Sequence, residues 1–294
     1  MLTILPASLE TSTLVDHTEK VCYILYERAR FCSEASPLIV AERIIMKLSV
    51  TIITKNEEEN IRTCLDSVAW VDEIIVFDSG STDATVTICK QYTDKVYVTD
   101  WIGHGPQKNR ALKLAKGDWV LALDADEWVT PGLKEEIVKV INNPGVYVAF
   151  EMPRLSSYCS QYIHHSGWWP DRVTRLCKNG KALFNDHLIH DRMIVDGKIG
   201  RLSNHLMHRS FIDLDHMLSK LNRYSTGGAR VLLSEGEKSS LSKAILHGLW
   251  SFFQTYIVQA GFLDGRMGFI LAVSNGEGTY YKYLKLMLLT KDKK

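Results

Sequence analysis

Closely spaced cysteines, surplus charge, internal repeats and an early basic or apolar run are what this sequence lacks. Its six cysteines (Cys22, Cys32, Cys64, Cys89, Cys159, Cys177) form no C-x-x-C pair and no His/Cys metal spacing. Scattered cysteines in 294 residues fit reduced cytosolic thiols better than a disulfide framework. Thirty-five Lys/Arg oppose 34 Asp/Glu, so the charge balance gives no sign of a nucleic-acid partner. No repeat or low-complexity tract occurs. A basic N-terminal region is missing, and Pro6, Glu10 and Asp16 interrupt any early apolar run, which argues against a signal peptide and for a cytosolic start.

What is present is alternation. Residues 1–45 carry no strand or turn signal leading into the rest; they read either as a dispensable extension ahead of Met46 or as a docked helical arm. From Leu48 the pattern is regular. Leu48–Ile53, Glu73–Phe77, Val96–Val98, Trp119–Leu123 and Val146–Phe150 are short apolar runs expected to be strands. Between them lie helical segments: one capped by Asn56 with Glu57, Glu58 and Glu59 in its first turn, one capped around Ser81-Thr82-Asp83, one over Gln107–Ala115, and one opened by Thr130-Pro131. Strands alternating with helices predict a doubly wound, mostly parallel α/β sheet over residues 46–150. Ligands in such sheets bind at the carboxyl ends of the strands. Residues 151–210, rich in His, Trp and Arg, read as an irregular, site-building region, and residues 211–294 as helices.

Three polar loops fall at predicted strand ends. Asp124-Ala125-Asp126 follows the apolar run Trp119–Leu123, and two carboxylates so placed suit Mg²⁺ or Mn²⁺. Such an ion bridges the phosphates of a nucleoside diphosphate and neutralises leaving-group charge. A bare D-x-D is common, and its plainer reading is a solvated acidic loop. Asp78-Ser79-Gly80-Ser81-Thr82-Asp83 follows the second strand, where an acidic side chain can accept from a base N–H or a ribose hydroxyl. The plainer reading there is a turn and helix cap. Thr54-Lys55-Asn56-Glu57 ends the first strand. Three such loops on one sheet are far less expected by chance than any one of them.

These runs, Ser49–Glu57, Val76–Asp83 and Leu123–Glu127, resemble the family 2 glycosyltransferases, which have a GT-A fold. The resemblance implies that Thr54, Asn56, Glu57, Asp78, Ser79 and Asp124 hold the nucleoside of a UDP-sugar, that Asp126 binds a divalent metal, and that transfer inverts the anomeric centre. Lys108 and Asn109 match a run beside the donor site; for Lys108 a solvated helix lysine is an equal alternative. Gly167-Trp168-Trp169-Pro170-Asp171, Arg175-Leu176, His190-Asp191, Leu206-Met207-His208 and Gly261–Gly265 resemble, more narrowly, the lipopolysaccharide inner-core transferases that add β-1,4-glucose to heptose. That implies UDP-glucose as donor, a lipopolysaccharide core acceptor, and His208 as a further metal ligand or diphosphate contact.

An inverting transfer needs a general base on the acceptor hydroxyl. Asp191 is favoured over Asp186 and Asp171, although this chain has His190-Asp191 where those enzymes have His-Glu. Trp168, Trp169, Arg172 and Arg175 suit a phosphorylated glycan acceptor, because tryptophan faces stack on sugars and arginine forks grip phosphate; a packed tryptophan cluster with surface arginines is the alternative. Ala244–Leu263 holds no Asp, Glu, Lys or Arg over twenty residues, yet His247, Gln254 and Gln259 interrupt it and its aromatics are spaced like an amphipathic face. From Met217 onward eleven Lys/Arg oppose five Asp/Glu, which favours the surface of an anionic leaflet, at the cytoplasmic face of the inner membrane. Two other readings share these residues: a transferase loading sugar onto polyprenyl phosphate, and a non-catalytic glycan-binding module on a degenerate transferase fold.

Overall fold

The computed structural model describes residues 46–185 and 192–291. The sequence expectations for residues 1–45 and for Asp186 and Asp191 therefore lie outside the described residues.

The first half of the described chain is built on a parallel sheet. β1 (Leu48–Thr54) is flanked by β2 (Glu73–Asp78) and β4 (Trp119–Asp124), with β3 (Val96–Val98) outside β2, all parallel. Period-two alternation divides β1 between two faces. Leu48, Val50 and Ile52 join a core with Ile61, Cys64 and Leu65 of α1 (Ile61–Ser67) and with Leu133, Ile137 and Ile141 of α4 (Pro131–Asn142). Ile53 turns to the other face, with Ile75, Phe77 and Ala111 of α3 (His104–Leu112). Helices cover both faces, so the GT-A-like α/β expectation holds. Each fully buried Leu or Ile in this core is worth about 1.5–3 kcal/mol. A tight approach leads into β4: a Cβ on Gly117 would lie 2.6 Å from the Ser49 backbone nitrogen, so only glycine fits there.

Helix boundaries differ at one informative place. Asn56 does not cap a helix; it is in the left-handed region (φ 54°), and α1 begins only at Ile61. The Asn56 side chain instead accepts from Thr82 N at 2.8 Å, so it joins two loops. Thr130 does cap α4 as expected, its hydroxyl accepting from Leu133 N with Pro131 at the first helical position. At α2 (Thr85–Cys89) Asp83 accepts from Thr85 N, whereas Ser81 serves the loop.

The sheet does not stop at residue 150. β6 (Tyr147–Tyr158) runs for twelve residues, and β8 (Asp171–Lys178) lies antiparallel between β4 and β6. β12 (Leu206–Phe211) pairs with β6 and, antiparallel, with β5 (Glu127–Val129). The region expected to be irregular thus supplies strands to the same sheet. β9 (Ala182–Phe184) and β10 (Met193–Val195) form a separate hairpin. The end is helical: α5 (Leu214–Ser234), α6 (Leu241–Phe253) running into a wider turn at Gln254–Val258, a short 3-10 turn at Gly261–Asp264, and α7 (Gly265–Lys291). Gly248 and Gly276 let α6 and α7 approach closely, since a Cβ on Gly248 would lie 3.1 Å from the Gly276 carbonyl oxygen.

Candidate active site

The parallel pairing brings the ends of β1, β2 and β4 to one edge, and their loops meet there. The first two are interlocked. Asn56 N donates to Ser81 Oγ (2.7 Å), Glu57 N to Thr85 Oγ1 (2.8 Å), and Ala84 N to the Glu58 carboxylate (2.9 Å). Ser79 N donates to the Thr54 carbonyl at 2.9 Å, and Ser79 Oγ accepts from the buried Gln107. The hydroxyl of Thr54 is buried with no hydrogen-bond partner among the described residues.

Asp78 braces its own loop. It is 0% exposed, and its carboxylate turns back into its own loop, accepting from Gly80 N (2.9 Å), Ser81 N (2.8 Å) and Ser81 Oγ.

The two D-x-D carboxylates have different surroundings. Lys108, 2% exposed, comes from α3 and pairs with Asp124 at 2.8 Å, which excludes the solvated-lysine reading. Arg175 reaches Asp124 from the other side at 2.6 Å. Burial would raise the Asp124 carboxyl, but Lys108 and Arg175, with Arg154 behind, hold it well below the usual carboxylate range. Asp126 faces His208 of β12, Oδ2 to Nε2 3.4 Å, while His208 Nδ1 is held by Ser156 Oγ at 2.9 Å. Burial is outweighed here too, and the His208 contact lowers the Asp126 carboxyl.

Beneath both lies Glu127, 0% exposed. One oxygen accepts from Asp124 N at 3.1 Å; the other accepts from Arg154 (2.9 Å) and Arg175 (2.7 Å). Arg154 continues to Asp171 at 2.7 Å. Arg175 therefore is not an acceptor-facing residue. It occupies the irregularity in the β6–β8 pairing, which turns its guanidinium in under the D-x-D loop. Asp171, the third base candidate, is occupied by Arg154.

The other acceptor candidates are only partly gathered. Trp168 packs edge-on against Tyr158 and beside Phe211, in the cluster joining the sheet to the helices. Arg172, on the opposite face of β8 from Asp171, donates to the Leu202 carbonyl and is not brought to the site. Trp169 remains half-exposed between His164 and His205. Asn109 grips the Phe184 backbone at both N and O (2.8 Å each), fixing the β9–β10 hairpin beside Lys108.

Sequence reasoning assigned no role to Glu127, Arg154 or Lys220. Glu127 follows the D-x-D directly, but nothing in its spacing marks it as buried. Lys220, on α5, donates to the Ser210 carbonyl at 3.0 Å; burial pushes its ammonium down, while Asp126 and Glu57 act the other way.

Glu57 completes the acidic side. Burial pushes its carboxyl up to about 7; the Asn60 hydrogen bond opposes this and Asp126 adds to it. A raised folded-state value means the contribution to stability is full below about 4.5 and is lost as pH rises through about 7. Glu57→Gln keeps an acceptor for Asn60 and should therefore stabilise the protein at pH 8, with the gain shrinking toward pH 5. Urea denaturation at the two pH values checks this; an equal difference at both would exclude Glu57 as the titrating group.

Among the described residues no group of three or more His, Cys, Asp and Glu is arranged to hold a metal ion. The Asp126–His208 pair supplies one carboxylate oxygen and one imidazole nitrogen, whose orientation is fixed by Ser156. Such a two-donor set fits an ion taking its remaining ligands from a diphosphate and water.

An α/β sheet with acidic loops at the carboxyl edge of its parallel strands is the class that fold and site define. The family model described as Glycosyl transferase family 2 matches residues 49–199, and the chain belongs to that family. An uncharacterized glycosyltransferase of Rickettsia felis is 33% identical over 242 residues, covering 76% of this chain and 83% of the relative. The lipopolysaccharide core biosynthesis glycosyltransferase LpsC of Rhizobium meliloti is 27% identical, covering 81% of this chain and 90% of the relative. Glucosyl-3-phosphoglycerate synthase from Mycobacterium tuberculosis, solved with Mg²⁺ and UDP, is 18% identical with a TM-score of 0.42, over 63% of this chain and 79% of that one.

Proposed function

We propose that this glycosyltransferase moves glucose from UDP-glucose to a heptose of the lipopolysaccharide inner core, with inversion and a divalent metal, at the cytoplasmic face of the inner membrane. The observation that carries the donor side is the meeting of three strand-end loops, the first two interlocked and the third carrying Asp124 and Asp126, with the unpartnered Thr54 hydroxyl on the same edge. The likeness to LpsC supports the acceptor.

Asp126 and His208 would hold the metal, which when bound neutralises charge on the departing diphosphate. Asp124, fixed by Lys108 and Arg175, presents an ionised carboxylate to the ribose. Thr54, Asn56, Glu57 and Ser79 line the nucleoside side, with Asp78 shaping their loop. Asp191 takes the proton from the acceptor hydroxyl as its oxygen attacks the anomeric carbon and the bond to UDP breaks. Trp169 offers a sugar-stacking face.

The direct test is transfer of radiolabelled glucose from UDP-glucose, with Mn²⁺, to core acceptor lacking that residue. Label appearing only in a polyprenyl-phosphate lipid extract would overturn the acceptor. Absence of both transfer and nucleotide-sugar hydrolysis would overturn the enzyme reading. Asp191→Asn should lower transfer by about a hundredfold or more, the usual worth of a positioned base, while UDP binding persists. Asp191→Glu should keep much of the activity. Loss in Asp186→Asn and not in Asp191→Asn would swap the two assignments.

A further inference from the structure

The helical end leaves a large apolar surface uncovered among the described residues. On α6, Leu246, Leu249, Trp250 and Phe253 are exposed and line a shallow apolar depression. At the bend toward α7, Val258 is 62% exposed and Leu263 59%. Isolated exposed apolar residues are ordinary, but a contiguous group of this size marks a contact surface. No single described helix is long and apolar enough to cross a membrane; α6 and its continuation meet the segment after the bend at 72°.

Charge identifies the occupant. Between Ala244 and Leu263 there is no charged side chain; Lys243, paired with Glu237 at 3.3 Å, and Arg266 flank that run in sequence, and Lys282 stands over Tyr283 on α7. The one acid at the bend, Asp264, is turned inward: it accepts from His164 N, His165 N and His165 Nδ1 at 3.0 Å and from Ser166 Oγ at 2.9 Å. Glu277 lies roughly three turns further along α7. An apolar, aromatic-bearing face rimmed by cations is complementary to an anionic bilayer surface. A second copy packed about a two-fold axis would set the same cationic rim against itself.

The Asp264 contacts also fix where the surface points. They tie the bend to residues 164–166, and Ser166 N donates to the Gln259 carbonyl at 2.9 Å. That segment leads through Trp169 to Asp171, whose carboxylate holds Arg154 and, through it, Glu127 under the D-x-D loop. We infer that the α6–α7 bend docks on an anionic lipid surface, and that the Asp264 clamp turns the Trp169 side of the site toward the lipid. This deepens the reading above, on which the acceptor-side role of Trp169 rests.

The test is flotation of the full chain with vesicles of phosphatidylglycerol and phosphatidylethanolamine, against vesicles of phosphatidylcholine. Binding to the anionic vesicles is expected, weakened by added salt. Val258→Glu combined with Leu263→Glu should weaken it at least tenfold, with UDP binding within twofold of the parent. Arg266→Gln combined with Lys282→Gln should remove most of the preference for anionic vesicles. Three results would overturn the inference: no flotation of the parent, equal flotation of the Val258/Leu263 variant, or a parent dimer in sedimentation that this variant dissociates. Vesicle binding without any UDP binding or sugar transfer would instead overturn the catalytic reading and leave the docking surface standing.

Discussion

Asp126→Ala is expected to lower sugar transfer by roughly a thousandfold or more while the protein stays folded. The loss corresponds to about 4 kcal/mol of barrier, within the several kcal/mol that a metal-held diphosphate supplies. The side chain meets His208 at 3.4 Å at the surface edge of the sheet, and the hydrogen bond from Arg209 N goes to the Asp126 backbone carbonyl, which alanine keeps. The thermal midpoint should therefore move little. His208→Ala should act in the same direction but less, since the carboxylate remains. Steady-state transfer with Mn²⁺, alongside calorimetric binding of UDP, separates the outcomes. Near-normal turnover of Asp126→Ala in the presence of chelator would remove the metal from the reaction.

The difference between what was legible in the chain and what was not has a physical cause at each point. β1, β2 and β4 are fully or largely buried strands, so they appear as short runs dominated by apolar and β-branched residues, and the polar residues that follow them stand out. Thr130-Pro131 announced its helix because cap and N1 proline are local signals. β6 and β8 carry the arginines that enter the charge cluster, so their alternation is diluted and they read as irregular. Asn56 sits in a polar, acidic run that fits a helix start, and the positive φ that removes it from the helix follows from its partner Thr82, 26 residues away. Arg175 looked like a phosphate grip because it follows the aromatic Gly167-Trp168-Trp169-Pro170 segment, where an arginine fork suits a phosphorylated glycan. Its inward turn depends on an irregularity of strand pairing that no local pattern encodes. Lys220 could not be placed at all without knowing that α5 returns to the site.

Glu127→Ala should be the most destabilising single change at the site, by about 3–5 kcal/mol, because Arg175 and Arg154 lose the buried carboxylate they share and keep only Asp124 and Asp171. Arg175 is buried where it meets the carboxylate at 2.7 Å, and Arg154 is partly open at 2.9 Å. The alanine also removes the acceptor for Asp124 N, so the D-x-D loop loses its anchor to the layer beneath. For a chain of this size that cost lowers the thermal midpoint by roughly 10 °C. Activity should fall with it, since Lys108 and Arg175 would then compete for Asp124 without the opposing charge that fixes their positions. Glu127→Gln retains shape and an acceptor oxygen but not the charge, and should fall between the parent and alanine. Pairing Glu127→Leu with Arg154→Met tests the origin of the loss. If the unpaired cation causes it, the double variant should recover part of the stability lost by Glu127→Ala, because burial of two apolar groups replaces an ion pair at little net cost. Denaturation midpoints of these variants settle the matter. A loss below 1 kcal/mol for Glu127→Ala would mean that water reaches the arginines and that the layer under the D-x-D loop is not dry. Strand register gives a reason to expect the larger number: Glu127 of β5 pairs directly with His208 of β12, so the ladder that buries the carboxylate also carries the histidine facing Asp126.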